Sequence, residues 1–122
     1  MVAAVERYFE VLNGADPELL RDVLAADFRD DDPFAPPGEG VEGVIERVRL
    51  YRAALPDARS VVEEVVAEDE GALVSWTTTA TGLDGSTDEV SCRYVGRMVM
   101  RGSRIQSHQV VSVMESSHLP PR

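Results

Sequence analysis

Three consecutive acids, Asp30, Asp31 and Asp32, stand directly before Pro33 in the segment ADFRDDDPFAPPGEG (residues 26–40). The proline pushes Asp32 towards extended backbone, and Pro36, Pro37, Gly38 and Gly40 carry the chain round a long turn. A carboxylate at the end of a strand, beside a fixed loop, is suited to act as a general base. Where it meets an imidazole it can hold the ring in one tautomer and raise its basicity, giving a proton shuttle near neutral pH. Asp32 and His108 form the sharpest such pair. Asp30 is two residues from Asp32 and shares its strand face, so the two could share a proton. The expectation for Asp30 is a structural acid, salt-bridged or wet, lower on the strand. No metal is expected on Asp30, Asp31, Asp32 and His108, because adjacent acids on a strand point to opposite faces.

These groups need elements to hold them. Residues 2–13 read as a helix with Val5, Tyr8, Phe9 and Leu12 on one face, ended by Asn13-Gly14. Asp16 caps a second helix with Pro17 at its first position; it carries Leu19, Leu20, Val23 and Leu24 and stops near Ala26. A strand follows over 27–32. Val41, Val44, Ile45, Val48 and Tyr51 mark a third helix over 41–55, with Arg47, Arg49 and Arg52 largely outside the stripe and Pro56-Asp57 ending it. Four strands follow, over 60–68, 72–81, 89–101 and 104–114, joined by tight turns. In the 89–101 segment Val90, Cys92, Tyr94, Gly96, Met98 and Met100 alternate with Arg93, Val95, Arg97, Val99 and Arg101. The tail over 115–122 is expected to be loose. Helices first and strands after indicate α+β: three N-terminal helices packed on a strongly curved antiparallel sheet, a cone with an internal pocket.

Composition narrows the function. A chain of 122 residues with 43% hydrophobic content predicts one folded domain. A net charge of −10 argues against nucleic acid and against anionic membrane surfaces. The single cysteine, Cys92, cannot form an internal disulfide and reads as a small buried hydrophobe. With no visible leader and no apolar run of membrane-spanning length, the expected location is cytoplasmic.

The order of elements, with the segment VERYFEVLNGADPELLRDVLAADFRDDDPF, resembles the nuclear transport factor 2-like superfamily, and within it the SnoaL-like polyketide cyclases and the ketosteroid isomerases. The likeness spans roughly residues 3–114. Tyr8, Leu12, Asn13 and Asp16 match the first-helix pattern of the isomerases, and Asp32-Pro33 their Asp-Pro after the first strand. Pro56-Asp57 and the run Ser103 to Gln109 match SnoaL-like features. The resemblance implies a general base at Asp32 and an oxyanion-supporting tyrosine at Tyr8. The isomerases' second oxyanion donor is an acid kept neutral by an apolar site; its place falls at Gly96. The cyclases' acid on the last strand falls at Ser112 or Val113, and Gln109 stands where the family has Trp. The family register turns His108, Val110 and Ser112 inward. The expected pocket wall is then Trp76, Tyr94, Met98, Met100, Val74, Thr78 and Val110, with Asp32, His108 and Tyr8 as polar groups.

The expected function is cofactor-independent proton transfer on a small, apolar, cyclic or polyketide-like metabolite: cyclisation, isomerisation or dehydration. Two alternatives stand beside it. One is a non-catalytic ligand-binding or dimerisation module, favoured by the acids missing at Gly96 and Ser112. The other is epoxide opening, for which the Arg-x-Asp pattern is absent from Arg97-Met98-Val99-Met100. A homodimer is expected through the outer sheet face, where Arg93, Arg97 and Arg101 flank Val95 and Val99 and could make ion pairs between subunits.

Overall fold

The computed structural model describes residues 2–30, 40–83 and 85–116. Helix α1 (Val2–Leu12) buries Val5, Tyr8 and Phe9, as its spacing predicts, and also Val11, while the expected Leu12 is only half-buried. A single 3-10 turn (Pro17–Leu19) is capped by Asp16, whose carboxylate accepts from the Glu18 N–H at 3.0 Å. Helix α2 (Leu20–Val23) is only one turn long, and strand β1 (Leu24–Asp30) begins at once. The expected second helix is thus shorter, and the strand begins three residues earlier than read. Leu24 is already extended and lies opposite Ile105, both fully buried. The gain from burying that pair overrides the local helical preference of Leu-Ala-Ala.

Helix α3 (Gly40–Ala54) buries Val44, Ile45 and Val48. Gly40 starts it with φ +65°, beside the Ala26 carbonyl, a backbone state that favours glycine. At its other end Arg52 donates to the Ala15 and Gly14 carbonyls at 2.7 and 2.9 Å, tying α3 to the turn after α1. Strands β2 (Arg59–Glu68), β3 (Gly71–Thr81), β4 (Glu89–Arg101) and β5 (Arg104–Ser116) follow. The last strand runs two residues past its expected end. Among the described residues no helix is long and apolar enough to cross a membrane.

The sheet order is β1-β5-β4-β3-β2. β2 to β5 form the expected antiparallel meander, and β1 is added at its edge parallel to β5. The class is the expected α+β, with one parallel neighbour that the reading of an all-antiparallel sheet did not include. That pairing requires a long crossover, which α3 and the meander provide.

Bulges set which side chains face the helices. On β5, Val99 opposes Ser107 while Met100 opposes Ile105, so Gln106 is an extra residue. Ile105 and His108, an odd number apart, can therefore both turn inward. A second extra residue at Val111 separates the pairs Gly96–Val110 and Val95–Ser112. It turns Val113 to the inside, opposite Tyr94, and corrects the expectation that Ser112 faces inward. On β2 the step between Val62 and Glu64 acts in the same way, letting both Val62 and Val65 pack on the core. Bulges also bend the strands, consistent with a curved sheet.

The core joins Val5, Phe9, Leu20, Phe28, Val44 and Met98 across helices and sheet. Full burial of each such side chain contributes about 1.5–3 kcal/mol.

Candidate active site

The parallel pairing of β1 with β5 places Asp30 opposite His108. Asp30 ends β1 with its side chain only 3% exposed. A buried carboxylate needs a partner, and α3 supplies Arg47, whose guanidinium donates to Oδ2 at 3.1 Å. The other oxygen, Oδ1, lies 3.8 Å from Nδ1 of His108. That is longer than a hydrogen bond, but the two groups face each other inside the protein, and catalytic contacts often tighten only when substrate binds. Asp30 thus fulfils the expected ion pairing, and it also occupies the position beside His108 that the sequence reading gave to Asp32. Asp32 lies outside the described residues.

The His108 ring is fixed by aromatic neighbours, with the Trp76 ring centroid at 5.6 Å and Tyr8 at 6.1 Å. Trp76 in turn stacks on Tyr94, 14° from parallel at 5.3 Å, and meets Phe9 at 5.2 Å. Gly96 makes room for this cluster. A Cβ at residue 96 would lie 2.5 Å from Nε2 of His108 and about 3 Å from two carbons of the Trp76 ring. Where the isomerase resemblance places an acid, this chain has the imidazole and indole rings instead.

A cavity of about 520 Å³ opens between α1, α3 and the sheet, a size suited to a small organic molecule. Asp30, Arg47, His108 and Tyr8 lie on its wall. Its apolar lining includes Leu12, Val44, Val48, Trp76, Val110 and Val113. Thr78, Ser60 and Tyr51 add a row of hydroxyls, and Tyr94 a further one. Ser60 Oγ and Thr78 Oγ1 are 2.7 Å apart. Burial pushes the Tyr51 phenol above its ordinary pKa, and Ser60 beside it pulls the other way. Among the described residues no group of three or more His, Cys, Asp or Glu is placed to hold a metal ion.

Of the expected site residues, the structure brings Tyr8, His108, Trp76, Thr78, Tyr94 and Val110 to one cavity. Val74 and Met98 belong to the packed core, Met100 is half-buried against it, and none of the three lines the cavity. Strand alternation assigns a face but not a depth, and Val74 and Met98 are fully buried under the packed helices. Arg47, Tyr51, Ser60 and Asp30 were not read as cavity groups. A signal was present for two of them: Arg47 follows Val44 by three and precedes Tyr51 by four, so it lies on the apolar stripe of α3.

The sequence pattern of the SnoaL-like domain matches residues 5–108. The chain belongs to the SnoaL-like family. No curated protein matches it. Among solved structures, a protein assigned as a SnoaL-like polyketide cyclase from Jannaschia sp. CCS1 superposes with a TM-score of 0.76 at 17% identity, over 94% of this chain and 84% of that one. IdmH from Streptomyces antibioticus, also assigned as a polyketide cyclase, gives 0.75 at 18% identity over 94% and 91%. A ketosteroid isomerase-like protein from Catenulispora acidiphila, in complex with trimethylamine, gives 0.78 at 15% identity over 89% and 84%. At these identities the likeness establishes the shared SnoaL-like and ketosteroid isomerase-like fold; the chemistry rests on the residues in the cavity.

Proposed function

We propose that this SnoaL-like protein is an enzyme of cofactor-independent proton transfer, acting on a small, largely apolar, cyclic or polyketide-like metabolite. The observation that carries this reading is the buried Asp30 carboxylate, held between Arg47 and His108 on the wall of an apolar cavity. Arg47 fixes the carboxylate's orientation, and Asp30 positions the imidazole and stabilises its positive charge when it takes a proton. His108 moves that proton between carbon or oxygen atoms of the substrate. Tyr8 meets the oxyanion that develops when a C–H bond beside a carbonyl is broken. Cyclisation, isomerisation and dehydration all share this step. The assignment of Asp32 as the base gives way to Asp30 in this account.

The test is deuterium wash-in. 2-Tetralone, a small apolar ketone with acidic C–H bonds, is incubated with the protein in D₂O and followed by NMR. Exchange well above the buffer rate supports the reading. A second reading, a ligand-binding module, is favoured by Gly96 at the position of the family acid. Binding of 2-tetralone without any acceleration of exchange would establish that reading.

We further propose that the protein forms a homodimer through the outer sheet face. Arg93, Arg97 and Arg101 pair within the chain, with Glu63, Glu68 and Asp27 at 3.3, 3.1 and 3.2 Å, rather than waiting for a partner subunit as expected. The three arginines are thus each matched by an acid, and the face also exposes Val61 and Val66, which suits contact with a second copy.

A further inference from the structure

The Asp30–His108 pair occupies one part of the cavity, and the hydroxyls of Tyr51, Ser60 and Thr78 occupy another. Ser60 and Thr78 face each other across β2 and β3, and both are 4% exposed. Ser60 is held on its other side by Asn13, which donates to the Ser60 carbonyl and accepts its N–H, each at 2.7 Å. The row is therefore fixed in place by the end of α1. The three hydroxyls bond to one another, and as each hydroxyl offers one donor and two acceptor sites, the row keeps capacity for a further partner from the cavity side. Trp76 lies between this row and the acid–base pair. Its ring is 5.6 Å from that of His108, and Thr78 is the next residue on the same strand face, about 7 Å further along. The two polar regions are on the order of 10 Å apart.

We infer that Tyr51, Ser60 and Thr78 form a second polar station, which receives a hydroxyl or carbonyl oxygen at the end of the ligand remote from Asp30 and His108. The inference rests on the acid–base reading for the near end of the ligand. It predicts that the substrate carries oxygen functions at both ends of an apolar body. Binding without the far oxygen leaves the station unmatched, whereas supplying it adds a hydrogen bond in a water-poor setting.

The test compares 2-tetralone with 6-hydroxy-2-tetralone, which adds an oxygen at the far end of the same body. Calorimetric titration of the wild type is expected to show the hydroxylated compound binding about tenfold more tightly. In Thr78→Val and in Tyr51→Phe this advantage is expected to fall to about twofold or less, because the hydroxylated compound loses affinity relative to 2-tetralone. Tyr51→Phe keeps the ring and decides the matter where Thr78→Val lowers the melting temperature. No advantage in the wild type, or an undiminished one in both variants, overturns the station. A wild type that shows the advantage but does not exchange deuterium into 2-tetralone keeps the station and defeats the acid–base reading. Asp30→Asn, acting at the other end, is expected to retain the tenfold advantage.

Discussion

The His108 imidazole occupies the space that any side chain at residue 96 would need: a Cβ on Gly96 would stand 2.5 Å from Nε2. Glycine here is a requirement of packing between β4 and β5, and it leaves room for the ring beside Trp76. Gly96→Ala is expected to push His108 and Trp76 apart and to cost about 1–3 kcal/mol of stability, as overpacking does. Trp76 is the only tryptophan, so its emission should shift in the variant, and deuterium exchange should fall more than 2-tetralone binding. An unchanged spectrum and melting temperature would mean that the ring moves aside freely.

Arg47 and Asp30 form a largely buried ion pair, with side chains 23% and 3% exposed. Arg47→Met keeps the apolar stem and removes this guanidinium from the carboxylate. A loss of about 1–3 kcal/mol is expected, below the full figure for a buried pair because Arg47 reaches solvent. Chemical denaturation measures it. The double variant Arg47→Met with Asp30→Asn should recover part of the loss, and no recovery would contradict the pairing.

Three surface carboxyls should make the fold sensitive to acid. Hydrogen bonds from Thr81 hold the Asp57 carboxyl below its ordinary value. Gln106, with Arg101, does the same for Asp27, and Arg21 for Glu42. A group whose folded pKa is depressed contributes stability above its unfolded pKa and loses it as pH falls through the folded value. The melting temperature should therefore fall as pH drops below the ordinary aspartate value of 3.8. Asp57→Asn should reduce that fall, and an identical acid limb in the variant would remove Asp57 from the account.

The outer face gives a mass prediction. At micromolar concentration, light scattering should report a dimer, and Val61→Asp should shift it towards monomer. A monomeric wild type would leave Val61 and Val66 as ordinary exposed valines.

The helices and long strands were legible because each has a clear apolar period: Val5, Tyr8 and Phe9 on α1, and Val90 to Met100 on β4. From those periods and the order of elements came the α+β fold and part of the cavity wall, Tyr8, Trp76, Thr78 and Tyr94, while His108 and Val110 followed from the family resemblance. Less legible were features set by pairing between distant strands. The partnership of Asp30 with His108 depends on β1 lying parallel to β5, which no local pattern declares. Val113 turns inward only because of the extra residue at Val111, and simple alternation assigned Ser112 instead. Met98, Met100 and Val74 were placed on the correct face but at the wrong depth. Pro33 points to Asp32, which lies outside the described residues; among the described acids, the one buried beside His108 is Asp30.

The most direct measurement is the rate of deuterium wash-in to 2-tetralone by wild type, Asp30→Asn and Asp32→Asn. Asn keeps the shape of Asp and removes its charge. Asp30→Asn is expected to slow exchange by about a hundredfold or more, in the range typical of acid–base catalysis, with 2-tetralone affinity nearly unchanged and with Asp32→Asn close to wild type. Exchange at the wild-type rate in Asp30→Asn, or a hundredfold loss in Asp32→Asn with Asp30→Asn unaffected, would contradict the account.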